Sequence, residues 1–282
     1  MLSKLDISGI FVRRNAIITN NHFVYAKKAD GWYHGTDYVN KDAIYPYVDD
    51  VSILCREIAS HFVNRGIDVV IGPTVGAVSL AQWTTHWLNN LPHARNRQAL
   101  EVLAVCADEE NVLEERELCP EIPQVCPKKP PIMIEFSATE KVAIETVAYF
   151  GYLVIKKIKY FEKIAVRRII KRGYDKHVQG KRCLIVEDII NSGATVAKTR
   201  EAVLRAGGEV VGVGCLCNRS GGKVTANTLC VPELFSLLDV NMEMFKEENC
   251  PVCQEKGRGS VRLDLGKGKD FLVRLGLKPE DK

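Results

Sequence analysis

Apolar residues recur along this chain in two rhythms, one helical and one of short continuous runs. Between positions 51 and 64, Val51, Leu54, Ile58 and Phe62 fall every three or four residues, which predicts a helix stopped by Gly66. Asp68-Val69-Val70-Ile71-Gly72 is a short apolar run that reads as a buried strand. The turn Pro73-Thr74-Val75-Gly76-Ala77 then leads into a predicted helix over 79–90, ended by Pro92. Further strands are predicted at 101–107, 182–186 and 209–217. Between the last two lies a helix over 196–206, with Val196, Val203 and Leu204 on one side and Gly207-Gly208 as its stop. Strands alternating with helices predict an α/β fold, a doubly wound and mainly parallel sheet.

Three regions fall outside that alternation. The first 45 residues are rich in aromatic and turn residues, and the last 55 or so are mixed and Gly-rich. Residues 108–161 join an acidic stretch, the loop CPEIPQVCPKKPP and an apolar, helix-compatible sequence, and they read as an insertion between sheet elements. Neither an internal repeat nor a long linker marks two independent folds, so 1–282 is expected to form a single domain with appendages.

Composition narrows the class. Apolar residues make up 46% and charged residues 26% of the 282, enough for a full core and against wholesale disorder. No window approaches the roughly 18 consecutive apolar residues of a membrane helix. The opening MLSKLDISGIFVRRN is too mixed in charge for a secretory signal. A cytoplasmic protein with no membrane partner is the expectation. The formal net charge of +4 does not by itself imply nucleic acid. The charge is uneven, however: from Lys156 to Arg182 there are eleven Lys or Arg against only Glu162 and Asp175. That run is either a solvated amphipathic helix face or a basic segment serving a phosphorylated ligand.

The chemistry gathers at strand ends, where open α/β sheets bind ligands. In LIVEDIINSGAT, Glu187 and Asp188 follow the apolar run, and Asn191-Ser192-Gly193-Ala194-Thr195 precedes a helix. The second half offers backbone N–H groups, hydroxyls and a helix N-terminus, a cradle suited to a phosphate monoester. The Pro73–Ala77 turn is a second such cradle. A P-loop is missing, and Gly212-x-Gly214 lies within a strand without the third glycine of a dinucleotide fingerprint. Taken alone, the acidic pair is equally an ordinary solvated strand end, and the turn an ordinary helix cap.

Strand, acidic pair and small hydroxyl-rich turn together resemble the ribose-phosphate signature of the type I phosphoribosyltransferases, which use 5-phosphoribosyl-1-diphosphate (PRPP). The resemblance is closest to the orotate enzymes and extends over most of the chain. It implies the family fold, with a small hood from the N- and C-terminal segments (1–45 and 225–282). It implies that Glu187 and Asp188 face the ribose hydroxyls and that Asn191, Ser192, Gly193, Ala194 and Thr195 wrap the 5-phosphate. Pro73, Thr74, Val75 and Gly76 are similar to the diphosphate loop. Segment 171–177 sits where the family places its mobile catalytic loop, so Lys171, Arg172, Lys176 and His177 are candidate catalytic residues. Tyr38-Val39-Asn40-Lys41-Asp42 resembles the segment that shapes the base pocket, with Lys41 reaching the ligand. Arg219 stands where an arginine meets the orotate carboxylate, although Asn218 replaces an acidic neighbour.

The implied reaction is displacement of diphosphate from PRPP by a nucleobase nitrogen with Mg²⁺, most simply orotate giving orotidine 5′-monophosphate. Alternatives are another purine or pyrimidine base, or a PRPP-sensing regulator without activity. The resemblance also implies a homodimer, and nothing in the sequence reads as a nucleic-acid surface. Ten cysteines in a chain this long are not a disulfide scaffold, and Cys55, Cys106, Cys183, Cys215 and Cys217 sit in apolar runs as core residues. Cys250-Pro251-Val252-Cys253 is either a tight Pro turn with reduced thiols or half of a structural zinc (Zn²⁺) site, with Cys119 and Cys126 as candidate partners. The six histidines are scattered, and only His177 falls in a segment read as functional.

Overall fold

A computed structural model describes residues 2–25, 27, 30–92, 101–118, 143–149 and 152–277. The chain forms two compact units, Met1–Asp108 with Ile170–Lys282, and Glu109–Ile169. In chain order the first part runs α1 (Lys4–Arg13), β1 (Ile17–Ile18), β2 (Phe23–Val24), β3 (Tyr33–Gly35), β4 (Tyr38–Val39), α2 (Val48–Phe62), β5 (Val69–Pro73) and α3 (Ala77–Asn90). Then come β6 (Leu103–Leu118), β7 (Ala143–Tyr149), β8 (Tyr152–Ile169), α4 (Asp175–Val178), β9 (Arg182–Ile190) and α5 (Ala194–Arg205). The chain continues with β10 (Glu209–Asn218), α6 (Ala226–Leu229), β11 (Leu234–Asp239), β12 (Phe245–Lys246), α7 (Pro251–Lys256) and α8 (Gly268–Arg274).

The larger unit is built on parallel strands in the order β11-β10-β9-β5-β6. Why these runs are continuously apolar follows from the pleat. Side chains alternate faces, and both faces of this sheet are covered, so β9 is apolar without interruption from Cys183 to Val186. Leu184 and Val186 pack into one cluster with Leu54, Ile58 and Phe62 of α2 and Leu80 of α3. Cys183 and Ile185 pack into the other, with Val196, Ala202 and Val203 of α5. The sheet is therefore doubly wound and mainly parallel, as the alternation predicts. Gly212 and Gly214 of β10 also find their reason here. A Cβ at either would come within 2.5 Å of Phe62 or Ile58, so these glycines admit α2 rather than a nucleotide.

Two small antiparallel pairings form the hood. β1 pairs with β4, while β2, β3 and β12 make a three-stranded sheet in which Phe245 lies opposite His34. N- and C-terminal segments thus share one sheet.

The smaller unit departs from the helix-compatible reading. It is made of β7 and β8, paired antiparallel from Ala143↔Lys159 to Tyr149↔Tyr152, with β6 beside β8. The sequence of β8, YLVIKKIKYFEKIAVRRI, is dense in β-branched and aromatic residues, whose stiff χ1 fits a pleated surface better than a helix. The basic run is accordingly neither a helix face nor wholly a loop, since it lies on this strand as far as Ile169.

Candidate active site

Strand β9 carries the acidic pair further than expected, running through to Ile190, so Glu187 and Asp188 are part of the strand end and both are buried. Their backbone positions are fixed by parallel pairing, Cys215 opposite Glu187 and Cys217 opposite Ile189. Burying two adjacent carboxylates demands partners. Asp188 has them: Lys41 Nζ donates to Oδ2 at 2.6 Å, the Tyr45 hydroxyl approaches the same oxygen at 3.2 Å, and Oδ1 accepts from Ile189 N–H at 2.6 Å. Glu187 is poorer. Its Oε1 accepts from Asp188 N–H at 3.0 Å, while Oε2 is buried without a hydrogen-bond partner among the described residues. Burial, and then the Asp188 charge, push the Glu187 carboxyl well above its ordinary value. Burial alone would disfavour the Lys41 ammonium, but Asp188 outweighs it and raises its pKa.

Lys41 arrives on the short 3₁₀ turn that follows β4, and Tyr45 lies just beyond it. The Tyr45 hydroxyl also donates to the Gly76 carbonyl at 2.6 Å, which ties the 73–76 turn to the acidic pair. That turn leaves β5, its Thr74 N–H anchored on the Ala107 carbonyl at 3.0 Å. Gly76 is required by close approach. A Cβ there would sit 2.1 Å from Asp188 Oδ2 and 2.8 Å from Lys41 Nζ. Pro73 is buried, Thr74 and Gly76 are half-buried, and Val75 is 88% exposed at the tip.

The turn after β9 takes the shape of an anion cradle. Gly193 adopts the left-handed conformation (φ 76°), Asn191, Ser192 and Ala194 are exposed, and Ala194 and Thr195 open α5. The first amides of that helix have no intrahelical acceptor and face outward with the positive end of its dipole.

Between these parts lies a pocket of about 230 Å³ lined by Tyr38, Lys41, Asp42, Asp188, Asn191 and Arg219, among others. Arg219 reaches it from the end of β10, its guanidinium 5.6 Å over the Tyr25 ring and its own N–H on the Ile190 carbonyl at 2.9 Å. Asn218 beside it is buried and uses its whole amide. Nδ2 donates to the Val224 carbonyl at 3.2 Å and Oδ1 accepts from Ser220 N–H at 3.1 Å. An aspartate there could accept but not donate, which accounts for the departure from an acidic neighbour.

The sequence-predicted residues thus divide. Lys41, Asp188, Asn191 and Arg219 meet at one pocket, with Glu187 beneath and Gly76 against Asp188. Lys171, Arg172, Lys176 and His177 do not line it. Arg172, at φ 62°, pairs with Asp108 at 3.2 Å, and Lys176 and His177 are exposed on α4. Cys119 and Cys126 lie outside the described residues. Tyr45 and Tyr25 were not singled out by sequence reasoning. Tyr45 carried a faint signal, an aromatic four residues after Lys41, whereas Tyr25 carried none.

Comparison with known proteins agrees with this arrangement. The phosphoribosyl transferase domain family matches residues 168–236, which hold β9, its turn and α5. The orotate phosphoribosyltransferase of Caldicellulosiruptor bescii is 25% identical over 246 residues, covering 87% of this chain and 90% of that protein. That of Desulforamulus reducens is 23% identical over 254 residues, covering 90% and 93%. That of Carboxydothermus hydrogenoformans is 38% identical over 101 residues, 35% of this chain and 50% of that protein. Residues 168–236 thus carry a phosphoribosyl transferase domain, most of the chain is similar to orotate phosphoribosyltransferases, and the protein is an enzyme of phosphoribosyl transfer.

Proposed function

We propose that the chain transfers the 5-phosphoribosyl group of PRPP to orotate, giving orotidine 5′-monophosphate and diphosphate. The observation that carries the reading is the pocket in which Lys41 and Arg219 stand together with Asp188. Lys41 is paired with Asp188, and the Arg219 guanidinium on the pocket wall suits a base that is itself anionic; the curated relatives at this likeness bear orotate names. The new bond joins a base nitrogen to ribose C1 as the C1–oxygen bond to diphosphate breaks. Positive charge then develops on the ribose ring, where Asp188 stabilises it while both carboxyl groups hold the hydroxyls. Negative charge develops on the departing diphosphate, where the 73–76 turn offers amides. The 191–195 turn holds the 5-phosphate and fixes C1 relative to the carboxylates.

The donor set suits Mg²⁺, since Glu187 and Asp188 offer hard oxygens and Glu187 Oε2 has no hydrogen-bond partner among the described residues. Held there with the substrate, the ion would neutralise charge on the leaving group. Lys171, Arg172, Lys176 and His177 belong to this reading as a basic segment that covers the diphosphate and excludes water. A cytoplasmic homodimer belongs to it by family resemblance. Diphosphate release is measured with PRPP, Mg²⁺ and, in turn, orotate, uracil, adenine and hypoxanthine. Turnover with orotate is expected. Turnover with a different base alone removes the orotate assignment, and silence with every base removes the catalytic one.

A further inference from the structure

Away from the pocket, the hood holds a cluster that the transfer reaction does not use. His22 directly precedes β2, His34 is the middle residue of β3, and Cys250 and Cys253 lie at the start of α7. Their donor atoms all fall within 4.8 Å of one another. His22 Nε2 is 3.0 Å from His34 Nδ1, 3.5 Å from Cys250 Sγ and 3.6 Å from Cys253 Sγ, and Cys253 Sγ is 3.4 Å from His34 Nδ1. Zinc–nitrogen and zinc–sulfur bonds of about 2.0 and 2.3 Å set at tetrahedral angles require edges of roughly 3.3 Å between nitrogens and roughly 3.5 Å between nitrogen and sulfur. The observed edges lie at or close to those lengths.

The outer ring nitrogens decide the tautomers. Ser260 Oγ donates its proton to the Gly257 carbonyl at 2.7 Å, so at 2.8 Å from His22 Nδ1 it accepts, which puts the ring proton on Nδ1. His34 Nε2 faces the Glu247 carboxylate at 3.5 Å, an acceptor only, which puts its proton on Nε2. Both inward nitrogens, His22 Nε2 and His34 Nδ1, are then bare lone pairs 3.0 Å apart, flanked by two sulfurs. Without a cation that contact is repulsive. With one, it is a ligand set in which a hydrogen bond to Ser260 orients the His22 ring and the Glu247 carboxylate faces the outer nitrogen of His34.

We propose that His22, His34, Cys250 and Cys253 bind one structural zinc ion that staples the N-terminal hairpin to the C-terminal extension. Four closed ligands and no open position mark it as structural, and two thiolates with two imidazoles select zinc over magnesium or calcium. The need for a staple is visible in the packing. Among the described residues the hood's own cluster has Val24, Val261, Phe271 and Leu272 as buried members, with Phe23, Tyr25 and Val252 buried besides, a small apolar set for a sheet of two- and three-residue strands. Cys119 and Cys126 are not needed to complete the set.

The test uses the full chain produced in zinc-supplemented medium. Elemental analysis is expected to find about one zinc per chain, and an organomercurial titration is expected to release it in step with two thiols. Cobalt substituted into the wild-type protein should give the intense visible bands of a tetrahedral site with sulfur-to-cobalt charge transfer. Cys253→Ser and His34→Ala should each abolish stoichiometric zinc. Wild-type protein that carries no zinc and gives no tetrahedral cobalt spectrum overturns the proposal. So does a Cys250→Ser/Cys253→Ser chain that keeps its zinc, or iron in place of zinc. Should the variants fail to fold, the mercurial titration and the cobalt spectrum of the wild type still decide.

Discussion

The carboxylates of β9 and the ligand cluster of the hood are both buried polar groups in the same unit, yet they are held in opposite ways. Glu187 and Asp188 sit on a strand paired on both sides, between two extensive hydrophobic clusters. There the core supplies the geometry, and polar partners such as Lys41 are added to it. In the hood a small cluster built on Val24, Val261, Phe271 and Leu272 lies against strands two or three residues long, so the polar groups themselves have to supply more of the geometry. A substitution at the strand end should therefore change chemistry and leave the fold. One in the hood should change the fold first.

The largest effect expected at the strand end is on Asp188→Asn. Turnover should fall by about 10²–10⁴ with a much smaller change in PRPP affinity, because the charge acts on the transition state. Equal losses in both, by steady-state kinetics, would place Asp188 in ground-state binding. Next, Arg219→Ala should raise the KM for the base by about 10–100-fold, the loss of a charge-assisted contact, with turnover less affected. An unchanged KM would remove the arginine from the base site.

Opposite in sign, Glu187→Gln should stabilise the protein. The fold keeps this carboxyl protonated to higher pH than the unfolded chain does, so wild-type stability falls as pH rises from the ordinary carboxylate pKa through the raised one. Gln never ionises, and the gain should grow to a few kcal/mol (about 4 by linkage) as pH rises to about 8 and vanish below about pH 4.5. Thermal melts across that range check it, and a gain independent of pH would refute the cause. Smallest of all, Asn218→Asp should cost about 1 kcal/mol, since the Val224 carbonyl loses its donor. Stability unchanged in urea unfolding would mean that the amide orientation is reversed.

The same contrast governs what could be read in the sequence. β5, β9 and β10 were legible because both faces of the sheet are covered, which leaves an apolar run with no interruption. The site at their ends was legible because Glu187, Asp188 and the 191–195 turn are local in sequence. β8 was misread as helix-compatible, since Val, Ile and Tyr interleaved with Lys satisfy either period over a short window. The hood was illegible for a different reason. His22 meets Cys253 across 231 positions, and neither histidine stands in a ligand motif. Only Cys250 and Cys253, three apart, left a trace.

The pairing of β3 with β12 has a consequence for the order in which the enzyme becomes competent. His34 is made early and its opposite residue, Phe245, late. A nascent chain can therefore assemble the parallel sheet through β11 and present its acidic pair before the hood exists. β3 gains its second neighbour, β12, only when the extension has left the ribosome. Lys41, Asp188 and Arg219 are all made before β12, so the pocket and the three-stranded sheet of the hood are completed at different times.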